Sequence, residues 1–231
     1  MKTPEDGSAA CVFDVYGTLL DFSSAVSRLE DRIGPDARRL SALWRQKQLE
    51  YSWLRSLMGR HTDFSQVTAD ALDFSLQALK IHDMALRDDL LALFRTLAPY
   101  PEVTGVLETI RNAGYMTAVL SNGDPETLGA GLEAAGIGSL FDAVYSVETV
   151  SIFKPHPDVY RIACDGLKLE PGEILFLSAN GWDIAGAASF GFETVWVNRT
   201  DAPREFLPSG PANQMPDLSQ LPALLTARST P

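Results

Sequence analysis

Apolar and polar positions divide this chain into three stretches of different character. The first apolar run, Cys11-Val12-Phe13, ends in Asp14-Val15-Tyr16-Gly17-Thr18-Leu19-Leu20. A short apolar run that stops at an acid and a glycine predicts a buried strand closing in a tight turn. From residue 22 to 98 the pattern turns helical, with little β-branched clustering and Pro35 as the sole proline. Helices are predicted over 24–33, 36–58, 63–79 and 83–97, with Asp and Ser near their starts placed as caps. Beyond residue 99 the two periods alternate: helix 102–113, strand 115–120, helix 125–135, strand 143–147, helix 158–167, strand 174–177, helix 182–190 and strand 194–197. Gly114, Gly136 and Gly191 stop three of the helices. Residues 201–222 are proline-rich and are expected to run along the surface. No repeat or low-complexity run is present.

Alternating strands and helices predict an α/β fold, a parallel sheet covered on both faces. The first strand belongs to that alternation, yet the helical stretch separates it from the rest. The simplest organisation is a core of residues 8–21 and 99–231 with a helical cap, 22–98, inserted after the first strand. Open α/β sheets bind ligands beyond the carboxyl ends of their strands. Those ends deliver Asp14, Tyr16 and Thr18, then Ser121 and Asn122, then Lys154, then Ser178, Asn180 and Asp183. Singly, each reads as turn or cap chemistry; together they mark a candidate site. A carboxylate at a buried strand end is costly unless paired, and Lys154 is the partner at hand for Asp14. The pair reads either as a structural ion pair or as a nucleophilic carboxylate held in line by a lysine.

The helix over 36–58 places Leu40, Trp44, Tyr51, Leu54 and Met58 on one face, and Arg45, Leu49 and Trp53 on a neighbouring one. A helix apolar on two faces is expected to be sandwiched between cap and core. Arg45 there is either a solvated arginine whose stem packs on Leu49 or a cation aimed at a ligand.

At 231 residues the chain makes one large domain or two small ones. Hydrophobic residues at 45% and charged residues at 21% fit a core-forming chain and exclude disorder as its main state. Lys plus Arg is 19 against 30 Asp plus Glu, a net charge of −11, which argues against nucleic-acid and membrane partners. An anionic substrate would need a local positive site built against that field. Two cysteines, Cys11 and Cys164, fit a reducing compartment and read as small buried apolar residues. The N-terminus has no apolar run after its lysine and no later segment is long and apolar enough to span a bilayer, so a cytoplasmic location is expected. His61, His82 and His156 lack metal-ligand spacing. Gly129-Ala130-Gly131 lies inside a predicted helix and is not a dinucleotide loop.

Asp14-Val15-Tyr16-Gly17-Thr18, the Leu120-Ser121-Asn122-Gly123 turn, Lys154-Pro155 and Ser178-Ala179-Asn180-Gly181-Trp182-Asp183 resemble the haloacid dehalogenase superfamily. Together with residues 43–51, Leu-Trp-Arg-Gln-Lys-Gln-Leu-Glu-Tyr, they resemble its L-2-haloacid dehalogenases, from about residue 10 to Arg199. The resemblance implies a Rossmann-like core with an inserted helical cap. It implies hydrolysis of short L-2-haloacids to D-2-hydroxyacids and halide through an ester on Asp14. Thr18, Lys154, Ser178, Asn180 and Asp183 would be the further catalytic residues, with Asp183 activating water. Arg45 would receive the halide, completed by Asn122 and Trp182. Ser121 and backbone N–H groups around Val15, Tyr16 and Asn122 would hold the substrate carboxylate. Tyr16, Leu49, Phe64 and Trp182 would line the apolar side, and Tyr160 joins the substrate-binding set. No metal or other cofactor is implied, and a homodimer is.

Most of the superfamily are Mg²⁺-dependent phosphatases with a second acid two residues after the nucleophile; here that position is Tyr16. Ser178-Ala179 stands where their fourth motif carries Gly-Asp. Halide displacement needs neither a leaving-group proton nor a metal against phosphate charge, so the departures agree with dehalogenation. His156 replaces an acidic residue expected after Lys-Pro. Two rivals stand beside this reading: a Mg²⁺-dependent phosphatase of small esters, and a non-catalytic binder of small carboxylates.

Overall fold

The computed structural model describes residues 9–228. The expected core ends at 8 and 231, and the reading of the first eight residues, lie outside the described residues. Six strands form one sheet: β1 (Ala10–Phe13), β2 (Met116–Ser121), β3 (Ala143–Ser146), β4 (Ile174–Ser178), β5 (Glu193–Val197) and β6 (Asn213–Met215). Their order is β3-β2-β1-β4-β5-β6 and every pairing is parallel. The four residues of β1 are all buried, as a central strand covered on two faces requires.

Helices α6 (Val103–Asn112) and α7 (Pro125–Ala134) carry the chain away from β1 in one direction. Helices α8 (Pro157–Leu167) and α9 (Gly181–Phe190) carry it back and past β1 in the other. Right-handed crossovers of opposite direction place the two pairs on opposite faces of the sheet. The direction reverses at β1, which is the crevice where such sheets bind ligands. Phe13 is in register with both Val119 and Leu177, so the residues that follow β1, β2 and β4 emerge level with one another.

Between β1 and α6 lie helices α1 (Ser24–Ser27), α2 (Glu30–Ile33), α3 (Ala37–Leu57), α4 (Phe64–Ala78) and α5 (Met84–Phe94). Asp63 and Asp83 cap α4 and α5, accepting from the Gln66 and Leu86 backbone N–H groups; Asp36 makes no such bond. The single helix expected over 24–33 is two, because Leu29 (φ −119°, ψ 18°) leaves the helical conformation between them. Trp44 centres this unit. Its ring meets Phe22 and Phe94, and its indole N–H donates to the Thr68 carbonyl at 2.9 Å. The segments leaving and re-entering the sheet are stitched together: Asp21 N donates to Ala98 O (2.8 Å) and Tyr100 N to Leu19 O (3.0 Å).

Two expectations are corrected. On α3 the buried positions are Ala37, Leu40, Trp44, Gln48 and Ser52, while Leu54 and Met58 are 44% and 64% exposed. Met58 shares the angular position of Leu40 but lies just past the helix end, beyond what covers Leu40. The stretch 201–222 is surface only in part. Residues 201–207 are exposed, but β6 pairs with β5, Met215 and Leu218 are buried, and so is Leu221 at the start of α10 (Leu221–Arg228). Cys11 is buried as expected and Cys164 only half-buried.

Candidate active site

The chain turns sharply after β1, with Gly17 at φ +89°, a left-handed conformation that suits glycine. The turn brings Thr18 back under Asp14. Thr18 Oγ1 accepts the Ala179 N–H at 2.8 Å, so its own proton is directed to Asp14 Oδ2 at 2.9 Å. Asn180 Nδ2 donates to the same oxygen at 2.9 Å, and Lys154 Nζ to Oδ1 at 3.1 Å. Asp14 is 6% exposed, so these charge-assisted bonds operate in a nearly dry setting.

Lys154 reaches the site from the loop after β3. Asn122 Oδ1 accepts its backbone N–H at 3.0 Å, and the Lys154–Pro155 peptide bond is cis. Its ammonium also donates to Asp183 Oδ2 at 2.9 Å and lies 4.9 Å from the centre of the Phe176 ring. Burial pulls this ammonium toward deprotonation, but the Asp14 and Asp183 carboxylates outweigh it and hold its pKa above the usual lysine range. Asp183, in the first turn of α9, is fully buried. Burial raises its carboxyl above the usual range although Lys154 pulls it down. Tyr160 lies behind it, wholly buried, its hydroxyl donating to Asp183 Oδ1 at 2.8 Å.

Above this floor, α3 lowers Arg45. Its Nη2 donates to Asn180 Oδ1 (3.1 Å) and Tyr16 O (3.3 Å), its Nη1 to Gln48 Oε1 (2.7 Å), and its carbon lies 5.2 Å from the Phe22 centroid. Asn180 thus joins the two halves, donating to Asp14 and accepting from Arg45. Burial lowers the Arg45 pKa, with Asp14 acting against it. Trp53, two turns along α3, meets Trp182 edge-on at 5.3 Å, and half-buried Leu49 lies between Arg45 and Trp53 on the helix. Tyr16 stacks on Phe94 (5.1 Å) and packs against Phe64 (5.5 Å). Its hydroxyl passes so near Gly123 that a Cβ there would stand 2.9 Å away.

Asp14, Thr18, Lys154, Asn180, Asp183 and Arg45 therefore form one bonded cluster. Three further predicted residues stand beside it. Ser178 Oγ accepts the Asn180 N–H and Ser121 Oγ the Gly123 N–H, both at 3.1 Å, and Tyr160 holds Asp183. His156 Nδ1 accepts the Asp158 N–H at the start of α8, so the residue in the acid's place still fixes the loop. His61 pairs with Glu148. Among the described residues no group of three His, Cys, Asp or Glu side chains could hold a metal ion. A divalent cation would have to displace the ammonium that already bridges Asp14 and Asp183, and Tyr16 and Ala179 offer it no carboxylate. These residues do not fit Mg²⁺.

Sequence reasoning missed Gln48, Thr68 and Trp196. The Trp196 indole donates to Ala179 O at 3.1 Å and so fixes the loop that carries Asn180. Gln48 had a legible signal, its position three residues after Arg45 on a helix; Trp196 had none.

A carboxylate thus stands at the switch point of a parallel sheet, charge-paired to a lysine and roofed by the helices between β1 and α6, which is the frame of a Rossmann-like hydrolase. Residues 9–191 match the haloacid dehalogenase-like hydrolase family. The chain is 46% identical over 221 residues to (S)-2-haloacid dehalogenase 1 of Pseudomonas sp. (strain CBS-3), covering 95% of this chain and 97% of that protein. It is 44% identical to (S)-2-haloacid dehalogenase 4A of Burkholderia cepacia, over 97% and 98%. The solved structure of L-2-haloacid dehalogenase from Xanthobacter autotrophicus with chloropropionic acid covalently bound superposes with a TM-score of 0.86 at 37% identity, over 95% and 98%. The chain belongs to the haloacid dehalogenase-like hydrolases, in their L-2-haloacid dehalogenase subfamily.

Proposed function

We propose that this protein hydrolyses short-chain L-2-haloacids to D-2-hydroxyacids and halide, with Asp14 as nucleophile and without a metal. The observation that carries this reading is the pairing of a thrice-bonded carboxylate, Asp14, with a guanidinium, Arg45, across one amide, Asn180. Asp14 Oδ2 takes two donors and Oδ1 one, so Oδ1 keeps the freer lone pair for attack on C2. The new C–O bond forms as the carbon–halogen bond breaks on the opposite side, and the halide leaves toward Arg45, Asn122 and Trp182. A weakly hydrated guanidinium suits a soft anion. Ser121 and the backbone around Val15, Tyr16 and Asn122 hold the substrate carboxylate, and Tyr16, Leu49, Phe64 and Trp182 line its apolar side.

C2 inverts once. Water then attacks the carbonyl carbon of the Asp14 ester and gives its proton to Asp183, whose pKa burial raises above that of an ordinary carboxylate. Thr18, Asn180 and Lys154 face the charge that develops on the Asp14 oxygens. Collapse breaks the ester bond at the carbonyl carbon, the departing alkoxide takes the proton from Asp183 to give the hydroxyacid, and the Asp14 carboxyl, now containing one solvent oxygen, loses its proton to restore the carboxylate. The helices within 22–98 act as a cap over the described parts of the core, residues 9–21 and 99–228.

We also infer a homodimer in the cytoplasm. Leu54, Leu57, Met58 and Phe74 leave apolar surface on the cap of a single copy, and no helix among the described residues is long and apolar enough to cross a membrane. Light scattering at micromolar concentration should give twice the chain mass.

The decisive test is one turnover of L-2-chloropropionate in H₂¹⁸O with enzyme in excess. The label should enter the peptide containing Asp14 and be absent from the product, which should be D-lactate. Label passing straight into the hydroxyacid would make water the direct nucleophile and overturn the reading.

A further inference from the structure

Gln48 is wholly buried on α3, an unusual place for an unpaired amide, and both ends of its amide are bonded. Its Oε1 accepts from Arg45 Nη1 at 2.7 Å, and its Nε2 donates to Thr68 Oγ1 at 2.6 Å. The Thr68 hydroxyl donates in turn to the Phe64 carbonyl at 2.7 Å, one turn back on α4. The direction of this chain is forced. A hydroxyl has one proton, and Thr68 gives its proton to a carbonyl that can only accept. Thr68 Oγ1 can therefore only accept from Gln48, so the amide nitrogen faces Thr68 and the amide oxygen faces Arg45. A flipped amide would set its oxygen against the Thr68 oxygen with no proton between them, and its N–H₂ against the guanidinium donors.

Trp44 anchors the same point, its indole N–H donating to the Thr68 carbonyl. Among the described residues, every acceptor on the Arg45 guanidinium is neutral: the Gln48 amide, the Asn180 amide and the Tyr16 carbonyl. A buried arginine is normally matched by a carboxylate, because an unmatched buried charge is costly. Here the cation is fixed in direction without being neutralised.

We propose that Gln48 and Thr68 are positioning residues for halide departure. They form a directional relay from the Phe64 carbonyl that aims Arg45 while leaving its positive charge available to the leaving anion. This inference rests on the reading of Arg45 as the halide receiver. It adds that the neutrality of the residue at 48, and the hydroxyl at 68, set how well the site takes up halide.

The test compares Gln48→Glu, Thr68→Val and Thr68→Ser with the wild type. It measures kcat for chloro- and bromopropionate, and inhibition by free bromide. Gln48→Glu keeps the size and the acceptor of the side chain but pairs Arg45 with a negative charge. Bromide inhibition should weaken by about tenfold or more, and kcat for the chloro substrate should fall further than for the bromo substrate, the better leaving group. Thr68→Val removes the acceptor that sets the amide's direction and should show the same pattern more weakly. Thr68→Ser keeps the hydroxyl and should restore bromide inhibition to wild type, which general loosening of the cap would not do. The relay is overturned if Gln48→Glu binds bromide as the wild type does, or if Thr68→Val and Thr68→Ser are alike. If Gln48→Glu does not fold, the valine–serine comparison decides alone. Failure of the underlying reading looks different: the wild type itself would then release no halide, or would not be inhibited by bromide.

Discussion

The floor and the roof of this site hold their charges by opposite means. On the floor, Asp14, Lys154 and Asp183 form a buried row in which each charge faces one of opposite sign at 2.9 or 3.1 Å. The groups come from the end of β1, the first turn of α9 and the loop after β3, whose backbone Asn122 holds at Lys154. On the roof, Arg45 comes from the middle of one helix and is held by neutral acceptors. The difference fits the work proposed for each. A nucleophile must stay ionised and immobile before substrate arrives, and a fixed counter-charge secures both. A group that receives a leaving anion must keep its charge unspent, so it is aimed by dipoles instead. The floor stores its compensation within the protein, whereas the roof, on the proposed reading, is completed by the ligand.

The largest effect should come from breaking the floor. Lys154→Met leaves two buried carboxylates facing each other with no cation between them. Removing one partner of a buried pair typically costs about 3–5 kcal/mol, and dehalogenation should vanish. The sign of the pH dependence is specific. In the wild type, burial raises the Asp183 pKa and Lys154 lowers it. With Lys154 gone, burial and Asp14 act together, so the folded state binds protons that the unfolded state gives up. The variant's deficit in urea unfolding should therefore shrink as pH falls from neutral into the acid range. A deficit that stayed constant with pH would mean lost packing, not unpaired charge.

The floor was legible in the sequence because a parallel sheet converts local patterns into shared position. Each short apolar run ends in a polar residue, and the fold brings those ends level, so Asp14, Lys154, Asn180 and Asp183 could be grouped without knowing any distance. The roof was legible only in part. Helical spacing put Arg45, Leu49 and Trp53 on one face, and Trp53 does meet Trp182. The same spacing placed Leu54 and Met58 inside, because it cannot tell where a helix outruns its neighbours. Gln48 escaped although it lies one turn from Arg45, since burial of its amide depends on Thr68 from another helix. β6 escaped because Asn213-Gln214-Met215 is too short and too polar to show a strand period; it exists through its pairing with Val195–Val197. Tyr160 was grouped with the substrate, yet its hydroxyl is committed to Asp183 from behind.

Breaking the roof should cost less than breaking the floor. Arg45→Lys keeps the charge but loses the fork that meets Gln48 and Asn180 together, and loss of one such donor typically costs about 10²–10³ in rate. The fold should survive, as read by an unchanged thermal midpoint. A lysine variant within a few-fold of wild-type kcat would show that charge alone suffices and that the neutral cage is packing. Tyr160→Phe tests the floor more gently. It removes a hydrogen bond that favours ionised Asp183, so the Asp183 pKa should rise further. Less of the base is then ionised at a given pH, and the acid limb of the kcat profile should move to higher pH. At neutral pH the loss should be about tenfold, the scale of one hydrogen bond to a charged group.

The smallest expected effect is none. If the floor is self-sufficient, excess EDTA should leave halide release from L-2-chloropropionate unchanged, and added Mg²⁺ should not raise it. The physical ground lies in the place between Asp14 and Asp183, which are the two carboxylates a divalent cation would seek. Lys154 Nζ already fills it, bonded to both. A metal entering there would have to expel a buried ammonium whose pKa those same carboxylates hold high, and it would gain no further acid from Tyr16 or Ala179. A magnesium-dependent phosphatase predicts the reverse: loss of activity on chelation, recovery with Mg²⁺, and turnover of small phosphate esters. A carboxylate-binding protein predicts no turnover under any of these conditions. Loss of halide release on chelation, restored by Mg²⁺, would mean that the floor lacks a charge it needs, and the contrast between a complete floor and an open roof would fail.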